Sequence, residues 1–522
     1  MRPPAWRSRN SPIEPDPTGR RRGLRLAALK SGLARALRYR ADVTATDAVG
    51  AQELAMDEPV SRRSWYTLVI TSIAVFLVAM DVTIVSVALP GITRSFRSPA
   101  STLSWVFTGY NITIAALLLL GGKVGDRFGR KPVFMAGLGA FAVASLLAGI
   151  APSTGVLIGA RVLQALGSAL LYPASLALLL PEFPMSKRSL AIGVWGGIAG
   201  LGGAIAPTLG AVLVDTLGWR AVFFVNVPFV AAAMFAGARV LRDSKAANAH
   251  ERFDPVAVPM ASAAVGVLVL GVVQGQQWGW RDAKTVGCFA VAALLLPLFL
   301  HRSSRHPAPL LDLDLFRLRS FSIGNSTQAL FLLGTFGWLV LMPSFFVHVW
   351  GWSPLAAGFG VAPSAAISAV LSPFAGRAAD RLGHRGLVVV GLLLGALGTL
   401  WWIATVDGRS DYVRHILPGL ILLGLGSTAG FSTVTGAIMS RVPPRFYSMA
   451  GAARSTIFQL ATAIGIAVAI AVQAATRSSD TVESFRRVWW LATGTTVAAA
   501  VVMGVAFPRR VPRADPLTQS SR

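Results

Sequence analysis

Fourteen predominantly apolar stretches follow one another between Tyr66 and Phe507, each close to the length a helix needs to cross a hydrocarbon core of roughly 30 Å. Inside lipid no water satisfies backbone N–H and C=O groups, so each stretch is expected to cross as a helix that pairs them internally. The spans group as six, two and six. A first bundle covers residues 61–245, two additional spans with a linker cover 246–320, and a second bundle covers 321–508. A basic tail (1–60) precedes them and a short tail (509–522) follows. Composition agrees with an all-α membrane protein, at 54% hydrophobic and only 14% charged residues.

The formal charge of +25 would suggest nucleic acid in a soluble chain, but here the basic residues gather on alternate ends of the spans. One side collects Arg62, Arg63, the cluster from Lys123 to Lys131, Lys187, Arg188, the cluster from Arg377 to Arg385, Arg441 and Arg445. The other holds smaller sets, such as Arg94 with Arg97 and Arg281 with Lys284. Since positive charge stays on the cytoplasmic side, the expectation is a multi-pass protein of the cell (inner or plasma) membrane with both termini cytoplasmic. Its partners are then the lipid bilayer and not nucleic acid, and a monomer is the expected unit. The first 55 residues carry Leu26, Leu29, Leu33 and Leu37 at helical spacing among arginines. They read either as a helix on the anionic inner leaflet or as a disordered extension ahead of Met56.

The pattern Gly-x-x-x-Asp-Arg-x-Gly occurs twice: Gly122, Asp126, Arg127 and Gly129, then Gly376, Asp380, Arg381 and Gly383. Arg130 and Lys131 follow the first copy and Arg385 the second. Each copy lies between two apolar spans, where it reads as a charged loop, and its recurrence marks two repeated membrane halves. The glycines permit tight reversal, Asp126 can accept from backbone donors at a helix start, and the basic groups can pair with helix ends. Such a cluster suits a gate at one mouth of a transporter and also fixes orientation.

Charges inside the spans carry the chemistry, because an ionisable group in hydrocarbon costs a few kcal/mol and tends to face a cavity and a partner. Asp81 lies about fifteen residues into the first span and Arg161 about seven into the fourth, entering from the opposite side, so their depths match at about 1.5 Å per residue. Protonation would neutralise Asp81 and loosen the pair, while arginine itself does not titrate, and cargo would compete for the same charge. The alternative is a static brace between spans 1 and 4. Arg454, about seven residues into the thirteenth span, is expected to snorkel back to the inner interface. Tyr110, Asn111, Gln164, Gln328 and Gln459 are candidates to line a central cavity for amphipathic cargo, cationic molecules included.

These residues together resemble the major facilitator superfamily and, within it, the fourteen-helix drug:proton antiporters of multidrug efflux type. The likeness runs from about Trp65 to Phe507 and rests on an ordered set. The two repeated motifs are joined by the run from Asp81 to Pro90, by Arg161, Gln164, Ala165 and Gly167, by Gly202, Ala206, Pro207, Gly210 and Ala211, and by Trp219, Arg220, Phe223, Asn226 and Pro228. The resemblance implies a major facilitator fold, with 14 transmembrane helices as 6+2+6 and two pseudo-symmetric six-helix bundles. It also implies alternating access, a small-molecule substrate exchanged for protons, and no cofactor. The fifth-span pattern of Gly202, Pro207 and Gly210 resembles the antiporter signature, with alanines at 206 and 211 in place of two glycines, and limiting proton leak is the role this resemblance implies. An importer or facilitator of a small metabolite on the same fold is the alternative. No Walker-type loop, metal-ligand spacing or nucleophile with a histidine base is present to suggest an enzyme.

Overall fold

The structure, a computed structural model, describes residues 60–243, 254–306, 309–475 and 481–508. The leucine stretch at 26–37 lies outside them. Among the described residues, 14 helices are long and apolar enough to cross a membrane. They are α1 (Arg62–Phe96), α2 (Trp105–Phe128), α3 (Arg130–Gly149), α4 (Thr154–Glu182), α5 (Met185–Leu217), α6 (Ala221–Val240), α7 (Ala257–Trp278), α8 (Ala283–Arg305), α9 (Arg319–His348), α10 (Ala356–Leu382), α11 (His384–Thr405), α12 (Tyr412–Met439), α13 (Pro444–Ala474) and α14 (Thr481–Ala506).

Several helices start where a side chain satisfies the orphan amides of the first turn. Ser61 accepts from the Ser64 amide ahead of α1, Ser153 from Val156 ahead of α4, and Asp282 from Lys284 ahead of α8. The helices also run beyond their apolar centres, which corrects the reading of the repeated motif as a loop. Gly122, Asp126 and Arg127 lie on the last turns of α2, and Gly376, Asp380 and Arg381 on those of α10. Only the closing glycines leave the helix, Gly129 at φ 104° and Gly383 at φ 86°, a left-handed region that favours glycine. Hydropathy marks where lipid ends, whereas a helix continues until its hydrogen bonds are interrupted.

Helices α1 to α6 enclose one apolar core, with Met80, Ile84, Phe134, Phe141 and Phe223 fully buried. The additional pair is fastened at its ends: Asp254, just before α7, accepts from Arg302 Nε (2.8 Å) and Nη2 (2.9 Å) near the end of α8 and from the amides of Val256 and Ala257. The Arg302 bonds hold the Asp254 carboxyl below the usual carboxylate range. α7 lies on α2, where Ser262 donates to the Ala116 carbonyl (3.0 Å). α8 leaves Val286, Leu294 and Leu298 exposed, an apolar face suited to lipid.

Candidate functional site

Within the first six helices, Asp81 and Arg161 meet. Arg161 Nη1 donates to Asp81 Oδ2 and, at 2.7 Å, to Gln164 Oε1. Gln164 Nε2 in turn donates to Asp81 Oδ1 (2.8 Å) and Ser145 Oγ (3.0 Å), and Asn226 Nδ2 reaches Asp81 Oδ1 at 3.3 Å. Arg161 Nε donates to the Val106 carbonyl (3.3 Å), and the guanidinium lies 4.2 Å above the Tyr110 ring, whose hydroxyl pairs with Ser168. Five helices, α1, α2, α3, α4 and α6, thus contribute to one network, and Asp81, Gln164, Tyr110 and Asn226 are each 0% exposed. A buried ion pair is tolerable when further hydrogen bonds satisfy its remaining atoms, and here they do so on both partners.

Two residues expected to face cargo, Tyr110 and Gln164, direct their polar atoms into this network instead. An amide beside a buried carboxylate is more strongly held than one facing a cavity, and Gln164 lies one turn from Arg161, on the same face of α4. Ser145 was not recognisable as a partner from sequence, because its span carries no other signal at that depth, and Asn226, visible as part of the sixth-span run, showed no sign of which group it meets. Asn111 is half-buried and donates to its own Phe107 carbonyl (3.0 Å), Gln328 is fully buried on α9 and Gln459 half-buried on α13.

The two motifs form matching locks between the halves. Asp380 accepts from the amides of Ser189 (3.2 Å) and Leu190 (3.0 Å) in the first α-helical turn of α5. Asp126 lies on the last turn of α2 beside the first α-helical turn of α13, where a β-carbon on Gly122 would come within 2.8 Å of the Ser448 carbonyl oxygen, with Arg130 3.6 Å away. Each carboxylate therefore sits at the positive end of a helix of the other half. Arg130 Nη2 donates to the Pro444 carbonyl (2.8 Å), Arg188 to the Tyr447 hydroxyl (2.6 Å), and Ser189 pairs with His384 (3.0 Å). Lys131 caps α6 through the Ala238 and Leu241 carbonyls (both 2.8 Å), and Arg385 caps α14 at Gly504.

Small residues let these ends close. A β-carbon on Gly376 would lie 2.4 Å from the Ser189 carbonyl oxygen, and one on Gly193 2.5 Å from that of Ser372. Further along α5, Gly200 and Gly203 face open space. The fifth-span glycines Gly202 and Gly210 do not meet the second half. They pack on α1, where a β-carbon would come within 2.5 Å of the Phe76 oxygen and 2.8 Å of Ile84. Pro207 lies between them inside α5. α1 is thus held from one side by α5 and from another by the Asp81 network.

Arg454 does not snorkel. It is 3% exposed, and its Nη2 donates to Thr435 Oγ1 of α12 (2.8 Å), an inward acceptor that competes with the longer reach to the interface.

Residues 71–255 and 324–522 match the family described as the Major Facilitator Superfamily. The chain is 35% identical over 418 residues to the tetracenomycin C resistance and export protein of Streptomyces glaucescens, covering 80% of this chain and 77% of that protein. It is 34% identical over 416 residues to the multidrug resistance protein Stp of Mycobacterium tuberculosis, with the same two coverages, 80% and 77%. With the multidrug efflux pump LfrA of Mycolicibacterium smegmatis it shares 32% over 406 residues, 78% of this chain and 80% of that one. Among solved structures, the human organic anion transporter MFSD10 aligns with a TM-score of 0.63 at 15% identity, over 85% of this chain and 100% of that one. The proton:xylose symporter XylE aligns with a TM-score of 0.61 at 14% identity, over 85% and 96%. At such identities the likeness speaks to the fold alone.

Proposed function

This chain belongs to the Major Facilitator Superfamily, a family of transporters and not enzymes, and from that membership we propose that it is a secondary active exporter, moving amphipathic small molecules outward across the cell membrane in exchange for protons. Support for export comes from relatives 32% to 35% identical over most of both chains, whose names speak of resistance, export and efflux. The distribution of arginine and lysine supports placing the motif-bearing end, and both termini, in the cytoplasm. The interlocked ends then correspond to a closed cytoplasmic gate, and residues 61–245 and 321–508 are the two bodies that rock about the α5–α10 and α2–α13 seams, with 246–320 beside them.

The observation that carries the coupling is the enclosed Asp81–Arg161 pair. When Asp81 takes a proton, Arg161 loses its counter-charge while Gln164 Oε1 still accepts from it, so the hold of α4 on α1 weakens without the guanidinium being left bare. α1 is the helix that Gly202 and Gly210 of α5 grip, and α5 also carries half of the cytoplasmic lock, which links proton occupancy to the gate through two packed helices. Gly202, Pro207 and Gly210, by sealing α5 on α1, would limit proton leak along that seam.

The test is substrate-induced proton release from the purified full-length protein, screened over a broad compound set, beside transport direction in inverted vesicles. Wild type should release protons on binding cargo and accumulate it inside inverted vesicles, and Asp81→Asn should do neither under a proton gradient. Proton-driven transport retained by Asp81→Asn would remove the pair from the mechanism, and net movement out of inverted vesicles would favour the importer.

A further inference from the structure

Three arginines are buried among the described residues, and two of them face a carboxylate: Arg161 has Asp81 and Arg130 has Asp126. Arg454 faces the Tyr172 phenol of α4 across the seam between the halves, and no carboxylate among the described residues pairs with it. Its Nη2 donates to Thr435 and the neutral Tyr172 phenol stands beside the guanidinium, while Nε and Nη1 make no hydrogen bond that meets both distance and angle. Arginine does not escape such a position by losing its proton, so the uncompensated charge disfavours the site until something negative joins it.

The surroundings are aromatic. The Phe458 ring, one turn along α13, is centred 6.0 Å from the guanidinium carbon. Phe458 meets Phe336 of α9 at 5.9 Å and Phe431 of α12 at 6.2 Å, and Phe431 meets Phe331 at 5.5 Å. Phe331 is fully packed, whereas Phe336, Phe431 and Phe458 keep part of their surface open. Phe431 is presented by a five-residue π-turn, Ala429–Thr433, an irregularity that recurs at functional sites. One turn before Phe331, Gln328 is 0% exposed with neither amide atom partnered.

We infer that the corner formed by Arg454, Tyr172 and these phenylalanines binds cargo as a flat aromatic anion, a carboxylate or ionised phenol on fused rings. The anion accepts from Nε and Nη1 of Arg454, the rings pack on the open faces of Phe336, Phe431 and Phe458, and Gln328 offers a further amide within the same face of α9. A cation of the same shape is repelled by the same guanidinium. The site joins α4 of one half to α12 and α13 of the other, so a ligand there touches both bodies that must move. This ligand assignment rests on the exporter reading for the ligand being cargo, while its charge preference stands on Arg454 alone.

The experiment uses three isosteric probes, anthracene carboxylate, its neutral carboxamide and the anthracenylmethylammonium ion, titrated by fluorescence into the purified full-length protein. Wild type should bind the carboxylate roughly ten- to a hundredfold more tightly than the carboxamide, the range expected of charge-assisted hydrogen bonds, and the cation more weakly than either. Arg454→Gln should abolish the preference and Arg454→Lys restore part of it, with Phe458→Ala weakening all three probes alike. Elution volume and melting temperature show that each variant is folded. Equal binding of carboxylate and carboxamide by wild type, a preference for the cation, no binding of any probe, or a preference unchanged in Arg454→Gln would each overturn the inference. If the carboxylate binds through Arg454 but is not moved under a proton gradient in proteoliposomes, the anion site stands and its assignment as a cargo site is overturned, whereas the exporter reading fails only if no compound is moved outward.

Discussion

Replacing Asp380 by Asn should open the closed end of this transporter. The carboxylate accepts two backbone N–H groups of α5, at 3.2 and 3.0 Å. Hydrogen bonds to a charged group contribute about 1.5–3 kcal/mol each, and an anion at a helix N-terminus about 0.3–1 kcal/mol more. Asparagine keeps the shape and one acceptor oxygen, so the loss is one charge-assisted bond and the helix-end contribution, together about 2–4 kcal/mol. Because both amides belong to the other half, the contact exists only when the halves meet, and losing it shifts the open-to-closed ratio by roughly 30- to 1,000-fold. Spin labels at the exposed Phe128 and Leu382, which end α2 and α10, report the separation in a Cys288→Ser background by double electron–electron resonance. Wild type should give mainly a short distance, and Asp380→Asn a second, longer one. A folded Asp380→Asn protein with the wild-type distribution would refute the idea that this carboxylate holds the gate.

Asp81→Asn leaves the Arg161 guanidinium buried without its counter-charge, and breaking such a pair should lower stability by about 3–5 kcal/mol, read as a drop in melting temperature. The double variant Asp81→Leu with Arg161→Met should melt closer to wild type yet show no substrate-induced proton release. Valine at Gly193 or Gly376 would press a side chain on a backbone oxygen that a β-carbon already approaches to 2.5 or 2.4 Å, so both variants should lose transport and display the longer spin-label distance. The lowered Asp254 carboxyl stabilises the α7–α8 pair fully above its unfolded value of about 3.9, and that stabilisation is lost only as pH falls through the still lower folded value. Melting between about pH 5 and 8 should therefore not vary on account of Asp254, while Asp254→Asn should lower it throughout that window.

Hydropathy alone located the membrane helices, because a helix in lipid needs a long apolar run and almost any apolar side chain serves. Asp81 and Arg161 stood out for the converse reason, since a charge in such a run is conspicuous whatever lies around it. The motif was visible as a repeat but was misread as a loop, because charge density says where water begins and not where a helix stops. Arg454 was visible too, and its direction was misjudged: a long side chain near a helix end can reach either the interface or an interior acceptor, and Thr435 belongs to a different helix.

Order and number of helices, the duplicated halves and the two intramembrane charges of the first half were properties of the sequence by itself. Only the tertiary structure decided that Asp380 caps a helix of the opposite half and that Asp126 lies beside another, that Gly202 and Gly210 grip α1, and that Gln164, Ser145 and Asn226 close around Asp81. These are matters of helix rotation and partner choice. Periodicity and composition describe one helix at a time, whereas a face acquires its meaning from the helix packed against it.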